Sequence, residues 1–126
     1  MIPVVVVAAV IERDGAFLLT LRLAGTHLEG HWEFPGGKVH GAETHAEALR
    51  RELHEELDIL AHVGEPMHRV THAYPDKVVD LHFYRCEFEG DPKPMIGQEI
   101  RWVPRADLSG LRFPEADAEL IRLLSS

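Results

Sequence analysis

The chain has 126 residues, 45% of them hydrophobic and 27% charged, a size and balance that suit one compact domain and exclude disordered, collagenous and coiled-coil classes. Lys and Arg total 13 against 21 Asp and Glu, for a formal net charge of −8, the wrong sign for gripping a nucleic-acid backbone by counterion release. So acidic a protein handles a polyanion best by recruiting divalent cations that then meet the phosphates. One cysteine, Cys86, permits neither an internal disulfide nor a thiolate cluster and reads as a small core residue of a strand. No stretch approaches the ~20 apolar residues of a membrane helix. The apolar start lacks a basic leader and stops at Glu12-Arg13-Asp14. The cytoplasm is therefore the expected compartment, with neither a membrane nor a nucleic-acid polymer as a partner.

Val4 to Ile11 is mostly β-branched, Asp14-Gly15 is a tight-turn pair and Ala16 to Arg22 resumes as a strand, which predicts a β-hairpin. Ala24 to His31 reads as a loop, and Trp32-Glu33-Phe34 as a short extended piece stopped by Pro35-Gly36-Gly37. Thr44 with Glu47 forms a capping box, and Ala46, Leu49, Leu53 and Leu57 follow as one apolar stripe, which predicts a helix from about His45 to Leu57. His68 to Ala73 and Val78 to Phe88 read as a second hairpin around Tyr74-Pro75-Asp76-Lys77. Glu89 to Gly97, with Pro92 and Pro94, is loop, and Glu99 to Val103 a last strand. Pro114 opens a terminal amphipathic helix through Leu124. This order predicts an α/β layered domain with a mixed sheet between helices.

Glu52, Glu55 and Glu56 stand at i, i+3 and i+4, within about 100° of one helix face. A solvated acidic face is the ordinary reading of such a cluster. Against it, Glu52 and Glu56 repel, and no Lys or Arg follows at i+3 or i+4 to compensate. Unneutralised carboxylates on one patch suit hard cations such as Mg²⁺ or Mn²⁺. The nine histidines are scattered, and His54-Glu55 lacks the second histidine of a zinc-protease motif, Asp58 standing there instead. No GxGxxG, GxxxxGK[ST] or GxSxG pattern is present.

Gly37, five residues, Glu43, seven residues and then Arg51-Glu52-Leu53-His54-Glu55-Glu56-Leu57-Asp58-Ile59 make a pattern that resembles the Nudix box. One fixed position departs: Asp58 replaces a glycine at the helix exit, where a left-handed residue is wanted, at a cost of about 1 kcal/mol. The six matching fixed positions, at roughly one in fifteen each, meet by chance on the order of 10⁻⁵ times in a chain this long. The resemblance implies a Nudix-type α/β/α sandwich in which the Gly37 carbonyl and the carboxylates of Glu52, Glu55 and Glu56 bind Mg²⁺ or Mn²⁺. It also implies that Arg51 and Glu43 hold loop and helix in register, and that the reaction is hydrolysis of a diphosphate linkage.

Thr20-Leu21-Arg22, Trp32 to Lys38, Tyr74-Pro75-Asp76-Lys77 and Phe113-Pro114-Glu115-Ala116-Asp117 are similar to the MutT-type branch of that family. The similarity implies a nucleotide substrate contacted by Arg22, Phe34, Lys38, Asp76 and Asp117, with Asp117 in the base-reading place. That branch often carries a loop glutamate as ligand or base where Ile96 stands here. Glu99, nearby but offset, is the candidate replacement, with Glu55 or Glu56 as alternatives. The implied reaction is Mg²⁺-dependent cleavage of nucleoside triphosphates to monophosphate and pyrophosphate, with 8-oxo-dGTP as leading substrate. A CTP or dCTP pyrophosphohydrolase, a sugar or dinucleotide diphosphatase and a noncatalytic nucleotide-binding module remain as alternatives.

Overall fold

A computed structural model describes residues 2–126. Strand β1 (Val4–Val10) is apolar along its whole length, so neither face suits water, and it lies inside a mixed sheet. It pairs antiparallel with β5 (Gly36–Lys38) and parallel with β7 (Lys77–Glu89), which in turn pairs antiparallel with β6 (Leu60–Tyr74). A second sheet is built on β3 (Ala16–Leu21). Strand β8 (Ile100–Pro104) runs antiparallel along one edge of β3, while β2 (Glu12–Arg13) and β4 (Trp32–Glu33) share the other.

The predicted first hairpin is corrected here. Glu12 and Arg13 close on Phe17 and Ala16 across Asp14-Gly15, both of positive φ, and the Ile11 carbonyl accepts from the Leu18 N–H at 3.0 Å, while Val4 to Val10 leave for the other sheet. The second hairpin forms as expected, with Tyr74 opposite Lys77 across the turn, but β6 starts at Leu60 rather than His68. Register shifts flank Pro66, which supplies no ladder N–H and sits at the irregularity. Gly64 there runs so close to β7 that a Cβ would meet the Arg85 carbonyl oxygen at 2.8 Å.

Helix α1 (His45–Leu57) has the predicted bounds. The Thr44 hydroxyl accepts from the Glu47 N–H at 3.1 Å and Glu47 Oε1 accepts from the Thr44 N–H at 2.8 Å, closing the capping box. Asp58 ends the helix in the left-handed region at φ 55. The terminal helix begins later than expected: Pro114 precedes a 3-10 turn over Glu115–Asp117, and α2 covers Ala118–Ser125. A further 3-10 turn, Arg105–Gly110, was not anticipated.

Two cores lie on either side of β1. Val7, Ala9, Ile11 and Leu18 pack with Ala48, Leu49, Leu53 and Leu57 of α1 and with Cys86. Ala8, Val10, Phe17, Phe34, Leu81 and Phe83 pack with Leu108, Leu120 and Leu124 from the C-terminal segment. The sheet is thus covered by a helix on each side, the layered α/β arrangement expected. Burial pushes the Cys86 thiol up to about 11, so it behaves as an inert core group. No helix among the described residues is long and apolar enough to cross a membrane.

Candidate active site

The carboxylates of α1 are set against β5 by Arg51. Its Nε donates to Glu43 Oε2 at 2.7 Å, Nη1 to Glu52 Oε1 at 2.9 Å, and Nη2 to Glu43 Oε1 and to the Lys38 carbonyl, both at 3.0 Å. One guanidinium therefore spans the strand, the loop and the helix, using the planar fork that a lysine lacks. Arg51 and the His40 N–H hold Glu43 down to about 2. The loop is so drawn in that a Cβ on Gly37 would stand 2.4 to 2.6 Å from the Glu52 carboxylate. Its neighbour Gly36 is closed off by backbone instead, with the Val7 carbonyl oxygen at 2.0 Å from a notional Cβ.

Burial and the adjacent Glu52 carboxylate push Glu56 up to about 9, and its Oε2 is buried with no hydrogen-bond partner. Glu55 lies further out, its side chain 58% exposed and 3.5 Å from Arg51 Nη1. Among the described residues no three acidic or imidazole side chains close on one point. The donor set does fit a hard cation: an orphaned buried carboxylate oxygen, a second carboxylate lying on a glycine backbone, and a third at the rim. All are oxygens, suited to an ion that keeps part of its shell for water and substrate.

A small cavity beside Glu56 is lined by Thr20, Arg22, Glu33, Ile96 and Gln98. The buried Thr20 hydroxyl there also lacks a partner. Gln98 fastens the β7–β8 loop to the end of α1, its amide donating to the Glu56 carbonyl at 2.9 Å while its Oε1 accepts from the Ile96 N–H at 3.1 Å. Met95 and Lys93 N–H groups reach the Glu56 and Leu57 carbonyls at 3.1 and 2.9 Å, so this loop satisfies the helix C-terminus. Glu99 does not enter the cavity: it is half exposed and pairs with Arg101 at 2.9 Å.

From Gly36 and Gly37 an open cleft with about 710 Å³ of empty volume extends along the sheet. Its walls include Phe34, Val79, Leu81, Phe83 and Asp117. Phe34 is buried, edge-on to Phe83 and stacked at 6.0 Å on Phe113. Asp117 is 4% exposed, and its side chain makes no capping bond to α2. Burial, reinforced by Glu33, pushes its carboxyl up to about 7. Burial raises Glu33 as well, although Arg22 at 3.3 Å pulls it down.

Of the anticipated substrate residues, Arg22, Phe34 and Asp117 line this cleft. Lys38 lies exposed at the end of β5 with its carbonyl on Arg51, and Asp76 is exposed at the β6–β7 turn. The cleft also gathers His27, Glu33, Tyr74 and Lys77, which were not singled out. No local spacing announces them, since they meet only when the β3–β4 loop folds over the second hairpin.

The description of the NUDIX domain matches residues 6–123 of the chain. The chain is 42% identical over 121 residues to an 8-oxo-dGTP diphosphatase of Haemophilus influenzae, covering 94% of this chain and 89% of that protein. It is 39% identical over 116 residues to a CTP pyrophosphohydrolase of Escherichia coli, covering 91% and 84%. Among solved structures, the MutT NUDIX hydrolase from Burkholderia pseudomallei superimposes with a TM-score of 0.81 at 27% identity, over 99% of this chain and 97% of that one.

Proposed function

The chain belongs to the NUDIX domain family and is a Nudix hydrolase, and from that premise we propose that it hydrolyses nucleoside triphosphates to monophosphate and pyrophosphate with Mg²⁺. The observation that carries this reading is the juxtaposition of the Glu52–Glu56 pair over Gly37 with a largely apolar cleft that a buried carboxyl lines. The first suits cation and phosphates, the second a nucleobase.

Glu52, Glu55, Glu56 and the Gly37 carbonyl would hold the cation, which when bound neutralises phosphate charge and makes water a stronger nucleophile. Arg51 and Glu43 keep helix and loop in register, so the carboxylates need no reorganisation during the reaction. Arg22, at the junction of cavity and cleft, faces the charge of the polyphosphate. Water attacks the phosphorus on one side of the oxygen that bridges the α and β phosphates, the P–O bond to that oxygen breaks with its electron pair going to the leaving fragment, so that monophosphate and pyrophosphate part, and a carboxylate takes the water's proton. Glu55 or Glu56 fills that role better than Glu99, which is engaged with Arg101 away from the cleft.

In the cleft, Phe34 and Phe83 offer faces and edges to a base, and Asp117 offers a carboxyl. Ionised, that carboxyl accepts from amino and ring N–H groups; protonated, it also donates to a carbonyl. The leading substrate is 8-oxo-dGTP, as for the Haemophilus influenzae relative. CTP or dCTP is the second reading, favoured by the carboxyl itself, which matches the amino edge of cytosine, and by the likeness to the Escherichia coli CTP pyrophosphohydrolase. The test is kcat/KM on 8-oxo-dGTP, dGTP, dCTP and CTP with Mg²⁺, scored by pyrophosphate release. Preference for 8-oxo-dGTP over dGTP by more than tenfold supports the first reading. A preference for the pyrimidines supports the second, and absence of turnover on all four overturns both.

A further inference from the structure

Thr20 is the one polar member of the run Phe17-Leu18-Leu19-Thr20-Leu21. In β3 it lies in register between Glu33 of β4 and Ile100 of β8. The alternation of a strand puts it on the same face as Leu18, which packs in the core beneath α1. Its side chain is thereby carried towards the helix, where it lines the small cavity together with Glu56. Thr20 is 2% exposed. Among the described residues, its Oγ1 and Glu56 Oε2 are both buried without a hydrogen-bond partner.

A threonine in place of a valine at such a position is unfavourable unless its hydroxyl is used. Buried polar groups that no protein group reaches are satisfied by ordered water, which typically makes about three hydrogen bonds. The space suffices: the cavity has about 410 Å³ of empty volume, against roughly 30 Å³ for a water in the liquid. A third partner stands in the same wall. One N–H of the buried Gln98 amide goes to the Glu56 carbonyl and its Oε1 is taken by the Ile96 N–H, so the second N–H of the amide is left for the cavity that Gln98 lines. The other polar walls are engaged elsewhere, Arg22 with Glu33 at 3.3 Å and the Thr26 hydroxyl with the Leu23 carbonyl at 2.6 Å.

We propose that Thr20 is a positioning residue for the hydrolysis: its hydroxyl donates to a water buried in this cavity, which also accepts from Gln98 and donates to Glu56 Oε2. This rests on the hydrolase reading above and adds to it a residue outside the helix and its loop. The backbone of Glu56 is already held, its carbonyl accepting from Gln98 and from the Met95 N–H. The water ties down the far end of the side chain, so that the carboxyl meets the cation in one orientation instead of several. Strand β3, paired along both edges, is a rigid anchor for it.

Two variants test the role. Thr20→Val keeps the shape and removes the hydroxyl, whereas Thr20→Ser keeps the hydroxyl. Thr20→Val is expected to lower kcat on the preferred triphosphate about tenfold with KM within about twofold. It should also weaken Mn²⁺ binding about tenfold, followed by electron paramagnetic resonance without nucleotide. Thr20→Ser is expected to recover most of both. A crystal structure of the cation-free wild-type protein should show a water within about 3.2 Å of Thr20 Oγ1 and of Glu56 Oε2. If Thr20 only packs, Thr20→Val shifts the melting temperature and leaves kcat and Mn²⁺ affinity at wild-type values, which overturns the proposal. A cavity without that water, or a serine variant no better than the valine one, overturns it too, and wild-type turnover then keeps the hydrolase reading. A wild-type protein that turns over no nucleoside triphosphate overturns that reading and the positioning role with it.

Discussion

Glu56 and Asp117 are both carboxyls that burial holds away from their ordinary titration range, and the difference between them lies in what each faces. Glu56, up at about 9, carries a proton at neutral pH in the absence of a cation. Glu56→Gln replaces a neutral carboxyl by a neutral amide of the same shape, so the melting temperature without cation should change little. Turnover should fall by about three orders of magnitude or more, because the amide cannot ionise for the cation. Mg²⁺ should raise the melting temperature of the wild-type protein but not of the variant, since only binding to the folded state stabilises. A wild-type rate in the variant would restore the reading of these glutamates as an ordinary solvated face.

Asp117 makes no capping bond and lines the cleft. Its folded value of about 7 lies above the ordinary 3.8, so between these limits the folded state binds a proton that the unfolded chain does not. Stability is therefore lost as pH rises towards 7 and regained as it falls towards 4. Asp117→Asn should be more stable than wild type at pH 8 by the order of a few kcal/mol, with the gap closing near pH 4. Denaturant melts at both pH values decide this. An equal gap at both would mean that the carboxyl stays ionised throughout.

The two glycines of β5 carry opposite burdens although they are adjacent. A side chain at Gly36 runs into the Val7 carbonyl oxygen and the Ala8 Cα at 2.0 and 2.8 Å, both backbone of the central strand. At Gly37 it meets only the end of the Glu52 side chain, which can rotate away. Gly36→Ala should thus cost several kcal/mol or prevent folding, by forcing β5 off β1. Gly37→Ala should fold with a loss of about 1 kcal/mol yet lose most activity, because the Glu52 carboxylate is displaced. Comparing soluble yield, circular dichroism and kcat for the pair separates the two, and equal behaviour would contradict the geometry. The same contrast runs through α1, whose capping box and apolar stripe are local features, while the cover for its last carbonyls comes from Lys93, Met95 and Gln98 far along the chain.

For the molecule as a whole, stability resides in the two cores that flank β1, and the carboxylates lie at the edge of one of them. Removing the cation should accordingly abolish turnover and leave the fold. With excess chelator we expect an unchanged far-ultraviolet spectrum and a melting temperature lower by only a few degrees, the amount that ligand linkage supplies. Collapse of the fold on chelation would show the cation to be structural, and full activity would exclude it from the reaction.

Much of the site was legible without a structure because its geometry is local. Glu52, Glu55 and Glu56 share a face by the helical advance alone, the bounds of α1 follow from Thr44, Glu47 and Asp58, and the turn at Pro75-Asp76 follows from its residue types. What depends on long-range pairing was not legible. Whether Val4 to Val10 joins β3 or β7 is decided by which neighbour covers both apolar faces, and the strand's own residues are indifferent to that choice. The cleft is of the same kind: Arg22, His27, Phe34, Lys77 and Asp117 come from separate segments and converge only after the sheets pair. The protonation of His27 and Asp117 is decided last, because burial and neighbouring charge exist only in the folded protein.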